Sequence, residues 1–511
     1  MVARRAVHRP HRRGEPLLES ARTGTPDSAT LDRSFFGHPK GLLTLFGLET
    51  WERFSFLGMQ AILVLFFADS TAHGGLGMAQ NSAASVTAAY GTLVYLLSVL
   101  GGWVADRMLG AYHSVLYGGI LIACGHYCMA VPATLTTWSG LGLIVLGTGF
   151  LKPNVSTMVG RLYATDDDRR DAGFALYYMG INLGAFLGPL VSGWLGQNWG
   201  WHWGFSAAAI GMTFGVVQYV LGRRHLARDT GAVNPLSAPE RTTYARWALL
   251  GVLAVAAIGV LLWAVGWLTL QRGVDVITAV SVIAPVIYFL VMFRSPRTTG
   301  EERGRLRPYL AMFAASVVFN LVLFSSYTSL NLLALDHVDN SVFGWTFPSS
   351  WFQSVLGVIE VLMAPVIAML WVRLGPRQPH AAHKIAYALV LAGVAFLVLV
   401  PPTAGQSGDY RMAAVWLVGC YFFLGVGDIL LETTGLSATT KLAPKAFASQ
   451  TMALWFLSLA MGQGISAQAV RLYGTIPDAL YYGVVGAIAV LCGFVMFAAT
   501  PWMRKTMHPV H

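Results

Sequence analysis

Fourteen apolar runs of about 20 residues each limit the folds open to this chain more than any other feature. One helical crossing of a bilayer needs a run of that length, and 55% of the 511 residues are hydrophobic while only 11% are charged. The runs lack the alternating polarity of outer-membrane strands. They predict an all-α polytopic membrane protein with spans that start near residues 41, 82, 112, 138, 172, 203, 245, 276, 309, 349, 383, 411, 447 and 478.

The distribution of Lys and Arg predicts the orientation, since positive charge accumulates in cytoplasmic loops. Residues 1–38 are predicted to be a disordered, basic cytoplasmic tail, and every second loop after it is basic. With an even number of spans, both termini are expected in the cytoplasm. The net charge of +10 follows from this asymmetry and does not indicate nucleic-acid binding.

The spans are predicted to form groups of six, two and six. The expected units are a six-helix bundle at 39–226, a linker with two extra spans at 227–308, a second six-helix bundle at 309–503 and a tail at 504–511. "GGWVADRMLGAYHS", which follows the second span, has a degenerate copy in "AMLWVRLGPRQ". Two related halves indicate a transporter with its site between them, although chance similarity of two short loops is an alternative.

The first span carries three charges, and a charge near the bilayer centre is costly unless it is paired and functional. Glu49, Glu52 and Arg53 are spaced so that they share one helix face. At about 1.5 Å per residue, both glutamates lie roughly 12 to 16 Å from the cytoplasmic end. Four polar residues of other spans come out at roughly 14 to 15 Å, which predicts a central polar cavity: Tyr95, Lys152, Asn182 and Asp428.

Five stretches around these residues carry a family resemblance. "ETWERFSFLGM" resembles the ExxERF signature of the proton-dependent oligopeptide transporters, the peptide branch of the major facilitator superfamily. "LYYMGINLGAF" resembles the FYxxINxG motif of that family. Three further stretches match family patterns in the expected order: "LVYLLSVLGGWVADRMLG", "GFLKPNVS" and "GLSATTKLAPKAF".

The resemblance covers nearly the whole chain and implies two six-helix bundles that rock around a midplane site, plus the two extra helices of bacterial members. It implies uptake of di- and tripeptides across the bacterial inner membrane, driven by protons. Carried over by position, Glu49 and Glu52 would bind and release the proton, and Arg53 and Lys152 would receive the peptide carboxylate or pair with those glutamates. The expected pocket residues are Tyr95, Asn182, Asp428 for the peptide amino group, and Trp455, for which helix packing is an alternative.

General electrostatics supports that division of roles. Burial increases the proton affinity of a carboxylate, and a nearby cation decreases it. A substrate carboxylate that competes for Lys152 would therefore allow Glu52 to take a proton.

The sequence departs from the family pattern at two pairs of positions. Gln60 and Phe324 stand where an Arg and an acidic residue commonly form an outer-gate ion pair, so we expect neutral packing there. Glu360 and Glu432 are additional acids beside Asp428. We expect them to favour solutes with an extra positive charge; alternatively, Glu360 is neutral and hydrogen-bonded to a neighbouring helix.

The amino-acid sequence leaves other functions open. The second half of the chain departs from the family pattern. This is compatible with transport of another solute, such as nitrate or a peptide-like natural product, and with export instead of uptake. A non-transporting receptor or scaffold is a remote alternative. No nucleophile with a base and no metal-ligand spacing is evident, so we expect no enzymatic activity, metal or cofactor beyond the proton gradient. We expect a monomer.

Overall fold

The computed structural model describes residues 33–163, 167, 169–226, 232, 235–404 and 411–507. Most of the predicted disordered tail, residues 1–32, and the last residues, 508–511, lie outside this part. Residues 35–38 form a small bridged turn, in which His38 is buried and its Nδ1 lies 2.9 Å from the Tyr163 hydroxyl. The prediction of disorder is therefore wrong for this last part of the tail.

Long helices account for nearly all of the described residues. They are α1 Lys40–Ala68, α2 Gln80–Val104, α3 Gly110–Ala130, α4 Thr134–Gly160, α5 Arg170–Trp199, α6 Trp201–Leu221, α7 Ala238–Ala264, α8 Leu270–Arg294, α9 Gly300–Leu323, α10 Ser329–Asp336, α11 Phe352–Leu374, α12 Ala381–Leu397, α13 Val400–Ala404, α14 Ala414–Leu442, α15 Ala448–Ala469 and α16 Asp478–Met507. Two-residue strands pair Val338–Asp339 with Met412–Ala413 and Ser341–Val342 with Trp345–Thr346.

The number of spans agrees with the prediction. Thirteen described segments are long and apolar enough to cross a membrane, and one of them, Gln80–Ala130, contains both α2 and α3. Helix α9 begins at Gly300, whereas this span was predicted to start near residue 309. Thr299 and Glu302 form a capping box and the first turn is charged, so hydropathy alone did not indicate this start. Helix α16 continues through residues 504–507, which were predicted to belong to a tail.

The helices pack in two groups. Helix α1 packs against α5 and α6, and α3 packs against α4 and α6, while α9, α12, α14, α15 and α16 pack among themselves. Helix α8 contacts α2 of the first group and α15 of the second. No described residue in the apolar stretch of α7 is buried in the isolated chain, as expected of a helix that faces lipid.

We call the end of the molecule at which α1 starts and α16 ends the terminal end. The two groups touch at the opposite end. At the opposite end, Asn331 donates to the Ala61 carbonyl at 2.6 Å, Ser354 donates to the Phe186 carbonyl at 2.7 Å, and Ser85 donates to the Ala467 carbonyl at 2.7 Å. Toward the terminal end, Ser156 on α4 and Thr433 on α14 are exposed. These three hydrogen bonds between the groups thus lie at the end opposite to the terminal end.

Arg471, in the 3₁₀ turn after α15, binds both α8 and α2 at the end opposite to the terminal end. Its guanidinium lies 2.8 Å from the Asp275 carboxylate, donates to the Gln271 carbonyl at 3.1 Å, and donates to the Ser85 hydroxyl at 3.3 Å. Helix α8 is therefore attached to both bundles at this end.

Candidate functional site

The charges of α1 form a buried cluster. Arg53 Nε lies 3.1 Å from Glu49 Oε1 and 2.7 Å from Glu52 Oε2, and Glu52 has no exposed surface. The Tyr177 hydroxyl on α5 donates to Glu49 Oε2 at 2.8 Å. Glu52 Oε1 has no hydrogen-bond partner among the described residues. One arginine thus serves two carboxylates, and Glu52 retains an oxygen that can accept a proton.

Lys152 lies beside this cluster on α4. Its Nζ is 4.1 Å from the centre of the Tyr95 ring, a cation–π contact. It is also close enough to interact electrostatically with Arg53, Glu52 and Glu49. The contact requires α4 to approach α2 closely. The two helices are so close that a Cβ at Gly101 on α2 would clash with the Gly149 carbonyl on α4. The structure brings together the four residues predicted to take part in proton coupling.

The second bundle presents three acids to the same region. Asp428 on α14 and Glu360 on α11 are close enough to interact electrostatically. Glu360 thus lies beside a neighbouring helix, and its predicted role in favouring cationic solutes stays a prediction. One turn along α14, Glu432 accepts a hydrogen bond from Trp455 Nε1 at 3.4 Å.

Two predicted pocket residues are packed away from solvent in this conformation. Asn182 donates to the Tyr178 carbonyl of its own helix at 3.2 Å and is 3% exposed. Trp455 has no exposed surface, and its ring lies against Gly435. A direct contact of either residue with substrate stays a prediction.

The residues predicted to form an outer gate are both buried. Phe324 packs on Tyr95 with 5.6 Å between ring centres. Gln60 is 2% exposed, and its Oε1 has no hydrogen-bond partner among the described residues. Helix α1 contacts the 3₁₀ turn Phe324–Tyr327. This is an apolar environment in which a single new charge would be costly.

We expect Gln60→Arg to reduce solute transport about tenfold, because it buries an unpaired cation. Adding Phe324→Glu should restore part of the rate by supplying a counter-charge. Uptake into reconstituted vesicles measures both effects, with Phe324→Glu alone as the control. If the double variant transports no better than Gln60→Arg, the two positions do not meet.

Three tyrosines near the acids were missed as individual site residues. Tyr177 and Tyr178 stand within the motif that contains Asn182, and Tyr327 lies in the 3₁₀ turn after α9. Tyr178 and Tyr327 are both close enough to Glu360 and Asp428 to interact electrostatically. Tyrosines are common within apolar spans, so their hydroxyls give no separate signal, and the helix break at Phe324–Tyr327 contains no Pro or Gly.

Comparison with known proteins identifies the family. The model of the POT family (PTR2) matches residues 112–490. An uncharacterized transporter of Bacillus subtilis (strain 168), YclF, is 40% identical over 94% of this chain and 97% of its own. A di-/tripeptide transporter of Lactococcus lactis subsp. cremoris is 38% identical over 94% of this chain and 98% of its own.

A solved structure of high similarity is the crystal structure of a peptide transporter POT in complex with sulfate. It has a TM-score of 0.90 and 43% sequence identity, and the match covers 94% of this chain and 98% of that one. These matches confirm the predicted helical fold and the family resemblance. The chain is a multi-pass membrane protein that belongs to the POT family, the proton-dependent oligopeptide transporters.

Proposed function

We propose that the protein is a proton-coupled symporter that imports di- and tripeptides or peptide-like solutes by alternating access. In this proposal it resides in the bacterial inner membrane as a monomer, with the terminal end in the cytoplasm. The two bundles at 39–226 and 309–503 move as units, and the proton gradient is the only driving force, with no cofactor.

The cluster of Glu49, Glu52, Arg53 and Lys152 is the observation that carries this proposal. Two carboxylates and two cations share one buried region of the first bundle. A peptide carboxylate that binds Lys152 or Arg53 removes a cation from Glu52 and increases its proton affinity. Substrate and proton would therefore bind together, as symport requires.

Uptake into proteoliposomes tests this function. The purified protein is reconstituted, an inward proton gradient is imposed, and a panel of di- and tripeptides, nitrate and peptide-like natural products is offered. Peptide accumulation that a protonophore abolishes supports the proposal. Accumulation of another solute alone, or gradient-driven export, favours a different transporter, and binding without transport favours a receptor or scaffold.

Glu360 and Glu432 are additional acids of the second bundle, so we expect the charge of a solute to affect its uptake. We expect wild type to prefer Lys-containing over neutral and Glu-containing dipeptides, and Glu360→Gln or Glu432→Ser to weaken that preference by about tenfold, the value of one charged contact. Competition for uptake among the three dipeptide classes measures this. An unchanged ranking in both variants would show that these carboxyl groups bind protein groups and not substrate.

A further inference from the structure

A groove on the surface of the first bundle lies apart from the buried charges. It has a volume of about 500 Å³ and runs between α1 and α6. Helix α6 packs on α1, α3 and α5, which all belong to the first bundle, so its exposed face meets lipid in a multi-pass membrane protein. Four exposed apolar side chains and the partly exposed Trp51 line most of the groove: Leu43, Phe214, Val217 and Leu221.

Close contact between the two helices forms the floor of the groove. A Cβ at Gly47 would overlap the Gln218 side chain, and a Cβ at Gly222 would overlap Thr44. The Gln218 amide also donates to the Leu43 carbonyl at 3.4 Å. The groove is therefore a built feature of this helix pair and not a gap between loosely packed helices.

The part of the groove nearest the terminal end is polar and basic. Lys40, which begins α1, and His225 both line it. His225 belongs to the 3₁₀ turn Arg223–His225 after α6, in which Arg224 is exposed. This turn is held beside α1, since a Cβ at Gly41 would clash with the His225 carbonyl. None of the described residues that line the groove is acidic, so a negatively charged group complements this part.

A second cavity of about 210 Å³ continues the groove away from the terminal end. It shares Trp51 and Phe214 with the groove, and the centres of these two rings lie 5.6 Å apart. Its other lining residues are also apolar: Phe54, Val191, Ala207, Ile210 and Gly211. Between Ala207 and Leu221, α6 rises roughly 21 Å, compared with about 15 Å for the hydrocarbon of one leaflet. The two cavities thus extend through the depth of one leaflet.

We propose that this groove binds one anionic phospholipid from the leaflet at the terminal end. Its phosphate lies at Lys40, Arg224 and His225, and one acyl chain lies along Trp51 and Phe214. Cationic side chains bind phosphate through charge-assisted hydrogen bonds, and basic sites between membrane helices favour anionic headgroups. The inference goes beyond the proposed function, because it requires neither a peptide nor a proton.

The size of the groove favours a single acyl chain over a helix of a second copy. The stretch of α1 from Lys40 to Trp51 rises roughly 17 Å, so a volume of about 500 Å³ corresponds to a mean cross-section of roughly 30 Å². A helix with its side chains is about 10 Å across and needs roughly 80 Å². An extended chain therefore fits the groove, whereas a helix does not.

Native mass spectrometry of the delipidated full chain in detergent tests the inference. Phosphatidylglycerol and phosphatidylcholine are added separately with the same acyl chains, so that they differ in net charge but not in the phosphate or the chains. The first phosphatidylglycerol should bind at least fivefold more tightly than the first phosphatidylcholine. Lys40→Gln combined with Arg224→Gln should remove this preference, because the groove then lacks two cations.

Arg504→Gln combined with Lys505→Gln is the matched control. It also removes two exposed cations at the terminal end, but from α16 of the second bundle, and it should retain the preference. Equal affinity of wild type for the two lipids, or an equal loss of preference in the control variant, would overturn the inference.

Val217→Trp tests the apolar part of the groove with its charges intact. Val217 is 49% exposed on α6, so a larger side chain occupies the groove without entering the core. We expect the affinity for phosphatidylglycerol to fall at least threefold. An unchanged affinity would show that the chain lies elsewhere, and displacement of the lipid by excess inorganic phosphate would identify a site for free anions; either result would overturn the inference.

Discussion

Replacing Lys152 by alanine should abolish proton-driven peptide accumulation, with a loss of at least a hundredfold relative to wild type. Lys152 on α4 is close enough to Glu52 to interact with it electrostatically, and its removal would leave the proton affinity of Glu52 independent of substrate. It also removes a point charge that can bind a peptide carboxylate. Accumulation of labelled dipeptide against its gradient in proteoliposomes measures the loss.

Lys152→Arg is the matched control because it retains the charge but not the compact ammonium group that lies over Tyr95. We expect this variant to retain a measurable part of the activity. If Lys152→Ala accumulates dipeptide as wild type does, the coupling mechanism is wrong.

The second large effect is expected for the glutamates of α1. Glu52→Gln should reduce proton-driven accumulation at least tenfold, because the amide cannot take up and release a proton. Exchange of solute down its own gradient should fall less, because it needs no net proton movement. Glu49→Gln should act in the same direction, and it also weakens the contacts with Arg53 and Tyr177.

Tyr177→Phe separates the two roles of Glu49. It removes the hydroxyl that donates to Glu49 Oε2 but leaves the carboxylate in place. We expect a smaller loss of accumulation than in Glu49→Gln. An equal loss of accumulation and exchange in both glutamine variants would assign these glutamates a structural role.

Most of the fold could be predicted from the sequence because its signals are local. One apolar run of about 20 residues is enough for one crossing, and the number of crossings was correct. Helix starts were less certain where the first turn is charged, as in α9, because hydropathy alone does not detect a capping box. The 3₁₀ turn Phe324–Tyr327 was missed because it interrupts an apolar run without a Pro or Gly.

The candidate site was predictable in part. Depth along each helix placed Glu52, Tyr95 and Lys152 at one level, and the structure shows them close together. Depth does not determine the rotation of a helix about its axis. Depth alone therefore does not show whether Asn182 and Trp455, which were predicted as pocket residues, face the pocket, and both are buried in this conformation.

The sequence by itself determined that this chain crosses a membrane many times, and that α1 carries two acids and an arginine on one face. Those properties depend on the hydrophobicity of continuous runs and on the 3.6-residue helical period. Only the tertiary structure decided that Glu49 accepts a hydrogen bond from Tyr177, that Lys152 lies over the Tyr95 ring, and that Trp455 donates to Glu432. Each of these contacts joins two different helices, so it depends on how the helices rotate and pack rather than on the spacing of residues within one run.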